Sequence, residues 1–213
     1  MPRFADLHIS AFTDALASTD PTPGGGTASA VAGAMGMALL MMVAGLNKTR
    51  GNNDRERATL QEARAALTSV RDRLLALADT DSEAYNKVVT GYRLPKTTEA
   101  EKISRKQAIQ QGTRAATEAP LDILRTIVQG AGYAKRIAQF GNPNAASDVR
   151  VAIELIEAAA AGAAANVETN LLLLEDEGFR KAAASTMIEL SNALTEHSAD
   201  ARAALLPTAG AGA

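Results

Sequence analysis

The chain has 213 residues, enough for one domain with a sizeable core, and its 22 Lys and Arg nearly balance 24 Asp and Glu at a net charge of −2. That balance excludes the basic field of a nucleic-acid binder, and 3% aromatics leave little for base stacking. The absence of cysteine removes disulfides, thiolate nucleophiles and Cys-based metal sites, and it fits a reducing cytoplasm.

Helical period runs through the chain and no hairpin signature interrupts it, so the expected fold is all-α. It is read as a helical bundle of six or seven helices with no sheet, forming one domain over residues 1–213 with a disordered tail at 208–213. A first short helix is expected over residues 9–18. Pro21 and Pro23 then force extended backbone, and Gly24, Gly25 and Gly26 allow close approach by another group. An uncharged helix follows over residues 28–46. It reaches the length of a membrane span, about 20 residues, but is so rich in Gly and Ala that it reads as the buried centre of a bundle.

Residues 48–53 form a polar loop, with Asn53 or Asp54 capping the next helix. Leu60, Leu67, Val70, Leu74 and Leu77 mark that helix as long and amphipathic, running to about Val89. Thr98 and Glu101 form a capping box for a helix to about Glu118, and Pro120 suits the first turn of another. Gly141 to Asn144 is a second break, with Asn144 as N-cap of a long small-residue helix over 145–174. A last helix is expected over 177–205. The two Gly- and Ala-rich helices supply little burial alone, so a homodimer joined through them would complete the core.

Chemistry must be found without cysteine, and both histidines, His8 and His197, read as solvated surface near the termini. Acid–base work then falls to carboxylates, Lys, Tyr or the substrate itself. Five places attract attention. The glycine segment opens onto the free N–H groups of a helix start, where an anion is favoured. Asn142, Asn144, Ser147 and Asp148 cluster at another helix start. Asn166 and Asn170 share one face of that helix, either stabilising a helix contact or facing a polar ligand. Asp81 and Tyr85 stand one turn apart, and Lys48, Arg50 and Arg55 form a modest basic group.

In order along the chain these segments resemble the folate cyclodeaminase/cyclohydrolase family. The carriers are Pro21 to Gly26, Asp81 to Tyr85, Tyr92 to Lys96, Glu101 with Lys102, Ala108 to Gln110, Thr117 to Leu121, Gly141 to Asn144 with Ser147 and Asp148, and Asn166 to Asn170. One stretch departs: many members carry a Gly-Lys-Lys-Lys-Tyr-like run where this chain reads Asn47, Lys48, Thr49, Arg50, Gly51.

The resemblance implies a cytoplasmic homodimer with a tetrahydrofolate derivative bound as substrate in a cleft near the subunit interface. It implies no prosthetic group and no metal, while charge balance, scarce aromatics and the Gly/Ala-rich helix leave neither nucleic acid nor membrane as an expected partner. The reaction is cyclodeamination of 5-formiminotetrahydrofolate or cyclohydrolysis of 5,10-methenyltetrahydrofolate. Asp148 or Asp81 would transfer protons while the other holds pterin N–H donors, and Lys48 would meet the glutamate tail or join proton transfer, helped by Arg50. Thr22, Gly24, Gly25, Gly26, Tyr85, Asn142, Asn144 and Asn170 would line the substrate. The rival expectation is a non-catalytic folate-binding or helical interaction protein on the same scaffold.

Overall fold

The computed structural model describes residues 3–206. It contains α1 (Ile9–Ala17), α2 (Gly25–Ala44), α3 (Asp54–Arg93), α4 (Glu99–Ala131), α5 (Ala134–Phe140), α6 (Ala146–Leu171) and α7 (Glu177–Leu205), with 3-10 turns at Phe4–Asp6 and Pro143–Ala145. No strand occurs among the described residues. The all-α expectation and the helix number hold; the tail at 208–213 lies outside the described residues.

The apolar helix is the axis of the bundle. α2 packs along both α3 and α6, α3 and α4 form a long antiparallel hairpin, and α7 lies across α4, α5 and α6. Of the described helices α2 alone is long and apolar enough to cross a membrane, and 56% of that window is buried. One connected core runs through the molecule, with Met37 and Leu40 of α2 meeting Leu67, Leu74, Ile127 and Ile156 at essentially zero exposure. Small residues set the spacing. A Cβ on Gly36 would stand 2.8 Å from Ile156 Cγ1 and 3.0 Å from the Ala152 carbonyl, so α6 approaches α2 almost backbone to backbone. The two helices run antiparallel, since Gly36 meets Ala152 while Gly25 meets Asn166.

Three boundaries differ from those expected. α2 begins at Gly25 rather than Ala28, so two of the three glycines lie inside its first turn. α3 extends to Arg93. Pro120 does not open a helix: it sits inside α4, which continues to Ala131 before a short turn leads into α5. A proline has no N–H to give the carbonyl four residues back. Here that carbonyl, on Ala116, accepts from Asn170 Nδ2 at 2.7 Å. The helix is thus repaired from α6.

Removing the repair should be measurable. Asn170→Ala is expected to lower unfolding free energy by about 1–3 kcal/mol, the cost of an orphaned acceptor. In a Pro120→Ala background, where residue 120 regains its N–H, the same substitution should cost less than about 1 kcal/mol. Equal losses in both backgrounds, read by urea unfolding, would contradict the repair.

Candidate functional site at the two ends of helix α2

At the N-terminus of α2 the first-turn N–H groups of Gly25, Gly26 and Thr27 have no carbonyl within the helix to bond. Asp81 of α3 is pressed against this turn so closely that a Cβ on Gly26 would overlap its carboxylate. Any larger residue there would have to push the carboxylate aside. The carboxylate accepts from Thr27 Oγ1 at 3.1 Å and from the Thr27 N–H. Thr27 in turn reaches Ser82 Oγ at 3.0 Å, deep in the bundle. Burial pushes the Asp81 carboxyl above the ordinary carboxylate range, and the two bonds from Thr27 pull back only in part. Such a group takes and returns protons nearer neutral pH than a surface acid.

Tyr85 stands one turn beyond Asp81 with 42% of its surface exposed. On the other side of the glycine turn lies Asn166, half-buried, its Nδ2 donating to the Gly162 carbonyl at 2.8 Å and standing 3.2 Å from where a Gly25 Cβ would be. Gly24 is the N-cap of α2, and Thr22 precedes it across a cis peptide to Pro23. Asp81, Tyr85, Thr22 and Gly24 to Gly26 are therefore brought together, and Asn166 joins them. Asn170, one turn further along α6, has its amide committed to the Ala116 carbonyl.

The remaining expected site residues gather at the other end. Arg50 N–H donates to the Phe140 carbonyl at 2.9 Å, and its guanidinium caps α5 through the Gln139 and Ala138 carbonyls. This fixes the 48–53 loop beside the break at Gly141, which itself lies against Val43 at the end of α2. Asn142 Oδ1 accepts from the Asn144 N–H at 3.0 Å and caps the 3-10 turn. Asn144 is thus exposed rather than an N-cap; α6 starts after Ala145, which makes no side-chain cap. Asp148 sits half-buried in the first turn of α6, where the helix dipole favours a carboxylate. Lys48 is exposed. Glu56 builds this loop, accepting from Thr49 Oγ1 and the Gly51 N–H, both at 2.7 Å; the Thr49 bond leads in holding its carboxyl below the usual range.

The two groups are separated by the length of α2, 20 residues or about 30 Å. Within one chain Asp81 and Asp148 do not share a site.

Residues 8–189 match the family model described as formiminotransferase-cyclodeaminase. The chain belongs to this family. Among its relatives, a methenyltetrahydrofolate cyclohydrolase of Methylorubrum extorquens is 37% identical over 188 residues, covering 88% of this chain and 89% of that protein. A formimidoyltransferase-cyclodeaminase of Gallus gallus is 31% identical over 172 residues, 81% of this chain but 32% of the longer protein. The crystal structure of a formiminotetrahydrofolate cyclodeaminase from Thermotoga maritima superposes with a TM-score of 0.84 at 29% identity, over 94% of this chain and 96% of that one. The formiminotransferase-cyclodeaminase family thus supplies both the all-α fold and the order of the motifs.

Asp81 also sets a pH dependence. Its folded pKa is raised, so its contribution to stability is complete below the unfolded value, about 3.9, and lost as pH rises through the folded one. Asp81→Asn is expected to raise the thermal midpoint at about pH 8, with the gain shrinking toward about pH 4. A midpoint lowered at about pH 8 would contradict the burial account.

Proposed function

We propose that this chain is a tetrahydrofolate one-carbon enzyme that hydrolyses 5,10-methenyltetrahydrofolate to 10-formyltetrahydrofolate. The observation that carries the reading is the half-buried Asp81 carboxylate seated on a helix start made of glycine. A second reaction, closure of 5-formiminotetrahydrofolate with loss of ammonia, is favoured by the fold likeness to the Thermotoga cyclodeaminase. Both pass through a tetrahedral carbon between N5 and N10, and one site serves either.

In the hydrolytic direction the substrate is a cationic amidinium, and a carboxylate beside it lowers the energy of the positive carbon. Water attacks that carbon while Asp81 takes its proton. The same carboxyl returns the proton to N5 as the C–N5 bond breaks, and the hydroxyl proton is released to solvent as the C=O bond forms, leaving the formyl group on N10. The raised pKa of Asp81 suits it to both halves of this exchange. Asp148, with Asn142 and Asn144, holds N–H donors of the pterin ring, and Lys48 meets the glutamate tail. Thr22, Tyr85 and the Gly24–Gly26 turn enclose the reacting end. Arg50 acts through the loop that it ties to α5.

The two halves need a second copy to meet. The outward face of α2 carries Val31, Met35, Ala38 and Met42, and beside it α6 shows Val151 and Ala158, while Glu154 between those two on α6 is held by Arg202 of α7. A two-fold axis that pairs α2 antiparallel with its copy covers this face and brings the Asp81 end of one protomer to the Asp148 end of the other. The reading takes residues 1–213 as one helical domain, working as a cytoplasmic homodimer on folate, with neither nucleic acid nor membrane as partner.

The test is loss of the methenyl absorbance band against buffer. Wild-type protein is expected to accelerate it, and Asp81→Asn to reduce the rate by about 10²–10⁴ without loss of helicity. Near-wild-type turnover in both Asp81→Asn and Asp148→Asn would remove these roles. Thermal stabilisation by folate without any band loss, in either direction, would mark a binding module instead.

A further inference from the structure

Thr27, in the first turn of α2, has no exposed surface, and Ser82 beside it on α3 is 5% exposed. A hydroxyl buried on a helix commonly donates to the carbonyl four residues back, as Thr113, Thr117 and Thr126 do along α4. Thr27 instead reaches across to another helix. Its Oγ1 stands 3.1 Å from Asp81 Oδ2, 3.3 Å from the Ala78 carbonyl and 3.0 Å from Ser82 Oγ.

One hydroxyl proton cannot serve all of these. Ser82 Oγ bonds only Thr27 among the described residues, so its own proton goes to Thr27 Oγ1. The Thr27 proton is left with two acceptors, and they differ in one respect. The carboxyl of Asp81 can be charged or neutral, whereas the Ala78 carbonyl is always neutral. A charged acceptor holds a hydroxyl about twice as strongly as a neutral one. The proton therefore points to Oδ2 when Asp81 is ionised and turns to Ala78 when it is not. Thr27 keeps a partner in both arrangements, in keeping with a core where no described buried side-chain polar atom lacks one.

No cation competes for this carboxylate. α2 carries no charged side chain from Gly25 to Ala44. On α3, Asp79 is held by Arg3 and the Phe4 N–H, while Glu83 and the Tyr85 phenol are exposed. Glu118 of α4 pairs with Arg114, and α6 brings the neutral Asn166 amide beside Gly25, with Glu168 turned to solvent. The hydroxyl and N–H of Thr27 are what favour the charged form.

We propose that Thr27 is the positioning residue for proton transfer at Asp81: its hydroxyl, oriented by Ser82, holds Oδ2 of the ionised carboxylate and turns to the Ala78 carbonyl when Oδ1 takes a proton. The inference rests on the proton-transfer role of Asp81 proposed above. No proton leaves Thr27; its O–H rotates, and the proton exchanged with the substrate stays on Oδ1. The carboxyl can then change charge while the buried side of the site stays hydrogen-bonded.

Thr27→Val keeps the side-chain shape and the N–H but removes the hydroxyl. In protein labelled with carbon-13 at the aspartate carboxyls, the Asp81 signal is the one lost in Asp81→Asn, and it is titrated without substrate. Its midpoint is expected to move to higher pH by about one pH unit in Thr27→Val and by less in Ser82→Ala. Thr27→Ser, which restores the hydroxyl, should return it to the wild-type position. The acid limb of methenyl turnover against pH should follow the same order, because only ionised Asp81 can take the proton from water. A merely structural Thr27 would lower stability and leave both midpoints in place, and that result would overturn the proposal. An unmoved midpoint in Ser82→Ala overturns it equally if Thr27→Val does not fold. A carboxyl that shifts under an unmoved acid limb would overturn the link to catalysis. A shifted carboxyl in a protein without methenyl turnover sinks the enzymatic reading and leaves the hydroxyl switch standing.

Discussion

Close approach of α2 to its neighbours is the constraint on which the rest depends. A helix with side chains of one or two heavy atoms brings little apolar area to a core, but it lets other backbones come near. Gly36 lets α6 lie against α2, and Gly26 lets a carboxylate from α3 rest on the first turn. The larger residues of α2, Met37, Leu40 and Val43, then fill the space that remains, all at 1% exposure or less. Substituting the small residues would separate the helices and the site together, because the same contacts define both.

Asp81 shows how such a site is held at some cost to stability. Its burial disfavours the charged form, while the Thr27 hydroxyl and N–H, backed by Ser82, favour it. Neither effect cancels the other, and the carboxyl is left poised for proton exchange. The other end of α2 is organised differently. There Glu56, Arg50 and the Asn142 side-chain oxygen are spent on loop backbone, while Lys48 and Asn144 are exposed and Asp148 is half-buried.

Much of this was legible in the sequence because it is written in local rules. The capping box at Thr98 and Glu101, the Asn53 cap and the stripe of Leu60, Leu67, Leu74 and Leu77 all appear as expected. What the local rules missed is tertiary. Pro120 reads as a helix start until Asn170, 50 residues away, takes over the bond it cannot make. Asn144 reads as an N-cap, yet Asn142 spends its side chain on a 3-10 turn first and α6 begins one residue later than that reading requires. Asn166 carried a signal, a polar residue in an Ala-rich helix, but only antiparallel packing places it beside Gly25. The separation of Asp81 from Asp148 could not be read from spacing, since it follows from which end of α2 each neighbouring helix reaches.

The central claim is that one catalytic site is built from two copies, Asp81 from one and Asp148 from the other. Mixing the inactive Asp81→Asn and Asp148→Asn proteins after mild dissociation tests it most directly. Half of the randomly reassociated dimers then hold one site with both carboxylates intact, so about a quarter of wild-type methenyl turnover should return. No recovery, with subunit exchange verified by mass, would place both carboxylates' work within a single chain and contradict the account.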